Sequence, residues 1–198
     1  MTIATYLTFV RLIISPIFLV LYIWHDFFSI SSATVPYFLI ALLLLSELTD
    51  AFDGYLARKL NQVSDFGKIL DPMADSISRI AFFLSFTQPP INLPIFFVFI
   101  FYGRDAIISM LRTLCALNGF ALAAQQSGKF KAFLQFIATF SILILMWAYE
   151  LKVISIDTLQ QTSISLVSLV AIFVLYSAFD YLYTNRVFMF RIIQKKNS

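Results

Sequence analysis

An all-α, polytopic integral membrane protein is the fold class this sequence predicts, and three observations predict it. The 198 residues are 60% hydrophobic and only 13% charged, against about 25% charge in an ordinary soluble domain. The mean hydropathy of +0.86 is more than a buried core alone explains. The apolar residues, 23 phenylalanines among them, gather into stretches of roughly 20 residues, the length that crosses a bilayer as a helix.

Six transmembrane helices follow in order, all in one domain over residues 1–198. The first is expected at residues 7–24, with Pro16 inside it, where a membrane helix tolerates proline. The second and third are expected at 34–57 and 67–86. Pro89 and Pro90 then break the chain, because proline cannot continue a helix. The fourth is expected at 93–117, closed by Asn118 and Gly119, which suit a helix C-terminus. Polar residues from Gln125 to Gly128 read as a loop before the fifth helix at 131–149 and the sixth at 158–183. Residues 1–6 lack a positive leader region and Arg11 interrupts the first apolar stretch, so that stretch reads as a retained helix rather than a cleaved signal.

Charge placement predicts orientation. Arg58, Lys59 and Lys68 fall between helices two and three, Lys129 and Lys131 between four and five, and Arg186, Arg191, Lys195 and Lys196 in the tail. The alternate loops hold His25, Asp26, Glu150, Lys152 and Asp157. Basic residues mark the cytoplasmic side, so both termini are expected in the cytoplasm. The single Cys115 excludes an internal disulfide, and the single His25 argues against a histidine metal centre or a histidine-dependent triad. Ionic chemistry must rest on carboxylates, Lys and Arg.

Carboxylates stand where a bilayer disfavours them. Helix two ends in Glu47, Asp50 and Asp53, and helix three carries Asp71 and Asp75; such residues are functional candidates by default. Asp50 and Asp53 share a helix face with Gly54 and Ala57, and Gly67, Asp71 and Asp75 form a second stripe at intervals of four. A short turn between the helices lets the stripes face each other. Converging carboxylates repel unless cations neutralise them, and all-oxygen ligands favour Mg²⁺ or Mn²⁺. The small residues leave room beside the backbone, and Arg58 offers a fork suited to phosphate. Together these features point to phosphoryl transfer. Taken singly, Asp65 reads as a solvated loop residue, and Asp71 before Pro72 as a cap on helix three.

The pattern Asp50-x-x-Asp53-Gly54-x-x-Ala57-Arg58, then eight residues, then Gly67-x-x-x-Asp71-x-x-x-Asp75 resembles the full signature of the CDP-alcohol phosphotransferase family. The resemblance implies two divalent cations held by Asp50, Asp53, Asp71 and Asp75, with Asp75 also the catalytic general base. It implies a CDP-lipid pocket lined by Gly54, Ala57, Arg58 and Gly67, and a homodimer. Within the family the sequence is most similar to the bacterial phosphatidylglycerophosphate synthases, on Leu7-Thr8-Phe9-Val10-Arg11, Phe66 to Asp75, Arg104-Asp105, Arg112 and Gly128-Lys129-Phe130-Lys131 with Gln135. That likeness implies CDP-diacylglycerol as donor, glycerol 3-phosphate as acceptor, and a bacterial inner membrane with the site facing the cytoplasm.

The residues bear on the acceptor independently. Arg104 and Arg112, eight apart on helix four, and Lys129 and Lys131 at the start of helix five form a cationic group suited to an acceptor phosphate. Three positions depart from the subgroup: Ser76 where Lys is common, Asp105 where Glu is usual, and Ala132 where Thr often stands. Other readings remain open: a cardiolipin synthase or phosphatidylinositol phosphate synthase of the same family, a divalent-cation transporter, and an inactive scaffold. A transporter would carry acidic groups at several depths, whereas here they cluster at one end.

Overall fold

Each predicted apolar stretch folds as one α-helix. The computed structural model describes residues 3–59, 65–117 and 125–195, and side chains over residues 6–52, 70–115 and 125–186. The helices are α1 (Ile3–Trp24), α2 (Val35–Lys59), α3 (Asp65–Ser85), α4 (Ile95–Leu117), α5 (Gln126–Glu150) and α6 (Ile156–Lys195). Among the described residues all regular structure is helical. The turn expected between helices two and three, and the helix end expected at Asn118 and Gly119, lie outside the described residues.

Three boundaries depart from expectation. Asp65 is the first residue of α3, which places Asp71 well inside the helix and removes its reading as a cap. Gln126 to Gly128 form the first turn of α5, with only Gln125 outside as the N-cap. A first turn needs no apolar face, because its N–H groups have no partner within the helix, so hydrophobic periodicity started the helix too late. The last helix runs on to Lys195, twelve residues beyond the apolar pattern that marked its expected end.

The helices form a closed ring. α1 packs on α2, α2 on α5, α5 on α6, α6 on α4, α4 on α3, and α3 back on α1, with α3 also touching α5. The surface is the reverse of a soluble protein's. Phe99 is 70% exposed, Phe179 67% and Ile172 65%, as lipid-facing side chains should be. Among the described residues four helices, α1, α2, α5 and α6, are long and apolar enough to cross a membrane. α3 and α4 are the helices that carry charge along their length, Asp71, Asp75 and Arg79 on one and Arg104, Asp105 and Arg112 on the other.

The interior is divided along the ring axis. On α1 the buried face changes from Thr8, Arg11 and Ser15 to Phe18 and Tyr22, and on α3 from Ser78 to Phe82 and Phe83, with Phe86 just past its end. The antiparallel α4 runs the other way, from Val98 and Phe101 to Arg104 and Asp105. α5 changes after Thr139, α2 after Leu43 and α6 after Val174. One half is an apolar plug in which Phe83 and Phe101 stack edge to face at 4.7 Å, and Phe18 and Phe82 meet at 4.5 Å. The other half holds the buried charge.

Candidate functional site

The polar half is built from two charge clusters, each centred on one residue. The first is centred on Arg11, whose side chain is 2% exposed. Its Nη1 pairs with Asp50 Oδ1 of α2 at 2.7 Å and with Asp75 Oδ1 of α3. Two carboxylates from different helices therefore meet on one cationic atom. An arginine at mid-helix in a bilayer costs about 2.5–3.5 kcal/mol or more unless paired, and the two carboxylates meet that requirement. Arg79, one turn along α3, reaches Asp75 Oδ2 at 3.8 Å.

α1 and α3 run parallel here and are joined by a ladder of polar contacts. Thr8 Oγ1 donates to Asp71 Oδ1 at 2.7 Å, Arg11 takes Asp75, and the Ser15 and Ser78 hydroxyls bond at 2.7 Å. Spacings of three and four on α1 meet spacings of four and three on α3, so each rung lies on the facing stripe of both helices. Pro72 removes one backbone donor inside α3, directly beside Asp71.

The second cluster is centred on Asp105. Its Oδ1 accepts from Lys131 Nζ at 2.6 Å and Arg104 Nη1 at 3.0 Å, and its Oδ2 from Ser76 Oγ at 3.0 Å. Arg104 Nη2 donates to Ser177 on α6 at 2.8 Å. A Cβ at Gly128 would stand 3.5 Å from Arg104 Nη2, an ordinary contact, so α5 lies directly against the guanidinium. Lys131 is 3% exposed. It was expected near the start of helix five, partly as a positive-inside loop residue. It is instead a buried partner of Asp105. Arg112 lies over the Tyr181 ring at 5.6 Å, with its Nε donating to the Tyr181 hydroxyl at 3.3 Å.

One cavity of about 1130 Å³ connects the clusters. Its wall includes Asp50 and Asp75 together with Arg104, Arg112, Lys129 and Lys131. The four predicted cations therefore share a chamber with two predicted carboxylates, although Arg104 and Lys131 already hold Asp105. Asp71 is brought near through Thr8. Asp53, Gly54, Ala57, Arg58 and Gly67 lie on the backbones of α2 and α3, and their side chains lie outside the described residues. Arg11, Arg79, Asp105 and Tyr181 were not singled out as site residues. Arg11 and Arg79 carried a signal, as ionisable residues inside apolar stretches.

Metal binding is compatible with this donor set. Among the described residues no three acidic, His or Cys side chains lie close enough to hold a metal ion. Asp50 and Asp75 nevertheless converge on a single positive atom, and their donors are all oxygen, the kind hard divalent cations take. Asp50, Asp75 and, through the adjacent rung, Asp71 are the described residues that could hold such an ion.

Fold and site together define a polytopic membrane protein with a chamber lined by carboxylates and cations at one end. The chain belongs to the CDP-alcohol phosphatidyltransferase family, whose sequence model matches residues 1–176. It is similar to a protein of Bacillus subtilis (strain 168) named CDP-diacylglycerol--glycerol-3-phosphate 3-phosphatidyltransferase, 32% identical over 73% of this chain and 78% of that one. Proteins of the same name from Wigglesworthia glossinidia brevipalpis, 36% identical over 83% of this chain and 88% of the relative, and from Haemophilus influenzae, 30% identical over 89% of each, are similar along more of its length.

Proposed function

We propose that this protein transfers the phosphatidyl group of CDP-diacylglycerol to glycerol 3-phosphate, releasing CMP. The observation that carries this reading is the shared chamber, which places Asp50 and Asp75 on the same wall as Arg104, Arg112, Lys129 and Lys131. An uncharged acceptor would need no such cationic group, and the relatives' names support the same acceptor.

Asp75 takes the proton from the acceptor hydroxyl, a weak nucleophile until a base engages it. The hydroxyl oxygen bonds to the phosphorus carrying diacylglycerol, and the bond from that phosphorus to the CMP oxygen breaks. Asp50, Asp53, Asp71 and Asp75 would hold divalent cations, Mg²⁺ or Mn²⁺, which would supply neutralisation of the diphosphate. Gly54, Ala57, Arg58 and Gly67 line the CDP-lipid pocket. Arg112 and Lys129 contact the acceptor phosphate directly, and Arg104 and Lys131 do so from positions held by Asp105. The family resemblance supports a homodimer of one domain over residues 1–198. The basic residues at the polar end support a site facing the cytoplasm of a bacterial inner membrane.

The test is CMP release by purified protein given CDP-diacylglycerol and one acceptor at a time. Release with glycerol 3-phosphate is expected. Release only with phosphatidylglycerol, or only with inositol phosphate, would assign the protein to another branch of the family.

A further inference from the structure

We propose that Arg11 is a resident counter-cation, which neutralises Asp50 and Asp75 while no metal is bound and passes to Glu47 when divalent cations take those carboxylates. The inference rests on the reading of Asp50 and Asp75 as metal ligands.

Three observations carry it. First, one atom, Arg11 Nη1, engages both carboxylates, so the guanidinium stands where a shared cation would stand. A metal and Arg11 cannot hold the same oxygens together: like charges at contact distance repel strongly where water is scarce. Second, the α1 backbone is pinned on both sides of Arg11. Thr8 bonds Asp71 on one side, and Ser15 bonds Ser78 and the Arg11 carbonyl on the other. Exchange therefore needs a side-chain movement and no helix movement. Third, a destination exists. A small cavity of about 10 Å³ has Arg11, Glu47, Asp50, Asp75 and a second cation, Arg79, among its lining residues. Glu47 and Arg11 line this cavity together, so the Glu47 carboxylate is the partner assigned to the displaced guanidinium, and the charge does not become buried and unpaired.

This makes Arg11 and Glu47 positioning residues. Arg11 keeps two like charges together on α2 and α3 before a metal arrives, so the ligand pair does not spring apart. It also frees Asp75, whose carboxylate must be available to act as a base.

The test is Mn²⁺ binding to the purified, substrate-free protein, read from the paramagnetic resonance of free Mn²⁺. Arg11→Gln removes the competitor and is expected to bind Mn²⁺ about tenfold tighter, a difference of about 1.4 kcal/mol. Arg11→Lys keeps the charge and is expected to stay within about threefold of the unsubstituted protein. Glu47→Gln removes the destination and is expected to weaken Mn²⁺ binding severalfold, which carries the test even if Arg11→Gln does not fold. Suppose that Asp75→Asn abolishes Mn²⁺ binding while Arg11→Gln leaves it unchanged or weaker, or Glu47→Gln leaves it unchanged. The exchange is then overturned and the metal reading stands. Absence of Mn²⁺ binding by the unsubstituted protein overturns both.

Discussion

Asp75 is bound on two sides, by Arg11 from α1 and by Arg79 one turn along its own helix. A carboxylate so held is aimed, and under the proposed role of base a small change in it should affect chemistry far more than fold. Asp75→Asn keeps the volume and hydrogen-bonding capacity but cannot take a proton. CMP release is expected to fall about 10²–10⁴-fold, the usual contribution of a positioned base, with binding of CDP-lipid retained. A turnover near normal in the Asn variant would remove Asp75 from the role of base. Asp50, Asp71 and Asp75 were legible as residues because carboxylates in apolar helices are rare and their spacing puts them on shared faces. Arg11 and Asp105 were much less legible as centres. Arg11 meets a partner 64 positions away, and Asp105 meets Lys131 26 positions away. Such pairs depend on the vertical register of neighbouring helices, which no local spacing encodes.

The helices themselves were largely legible because each must satisfy its backbone internally in a bilayer, so apolar length and helix length nearly coincide. They diverge where helix leaves the apolar zone. α6 has 40 residues, about 60 Å at 1.5 Å per residue, twice the hydrocarbon thickness. The C-terminus of α5 shows a different local solution. Lys152 takes a left-handed backbone, φ 60°, and its N–H reaches the Tyr149 carbonyl while the Val153 N–H reaches that of Ala148. This is the pairing of a Schellman cap, in which glycine is usual at the left-handed position. A side chain there costs about 1–3 kcal/mol, of which glycine's greater unfolded-state freedom returns part. Lys152→Gly is expected to stabilise the protein by about 0.5–1 kcal/mol without altering activity. Thermal unfolding in detergent checks this, and a lower melting temperature would show that the Lys side chain stabilises the cap by some other contact.

At the scale of the whole molecule, the division of the ring into an apolar plug and a charged chamber sets how the protein must lie in the bilayer. A diphosphate-bearing headgroup needs a wet entrance, while its acyl chains need lipid, so the chamber must open at one membrane face. The charge pattern that predicts a cytoplasmic face leaned on Lys131, which is buried, yet exposed Lys129 and Arg186 remain at the chamber end. The orientation can therefore be tested on α5 alone, whose 25 residues span about 38 Å. Gln126, at its chamber end, and Val153, just beyond its other end, are both exposed. The native Cys115 is buried and should give little background. With single cysteines introduced, an impermeant maleimide applied to intact cells stripped of their outer layers is expected to label Val153→Cys and spare Gln126→Cys. In inside-out vesicles the pattern should reverse. Labelling of Gln126→Cys from outside the intact cell would place the chamber on the wrong side of the membrane for a nucleotide-linked donor made in the cytoplasm.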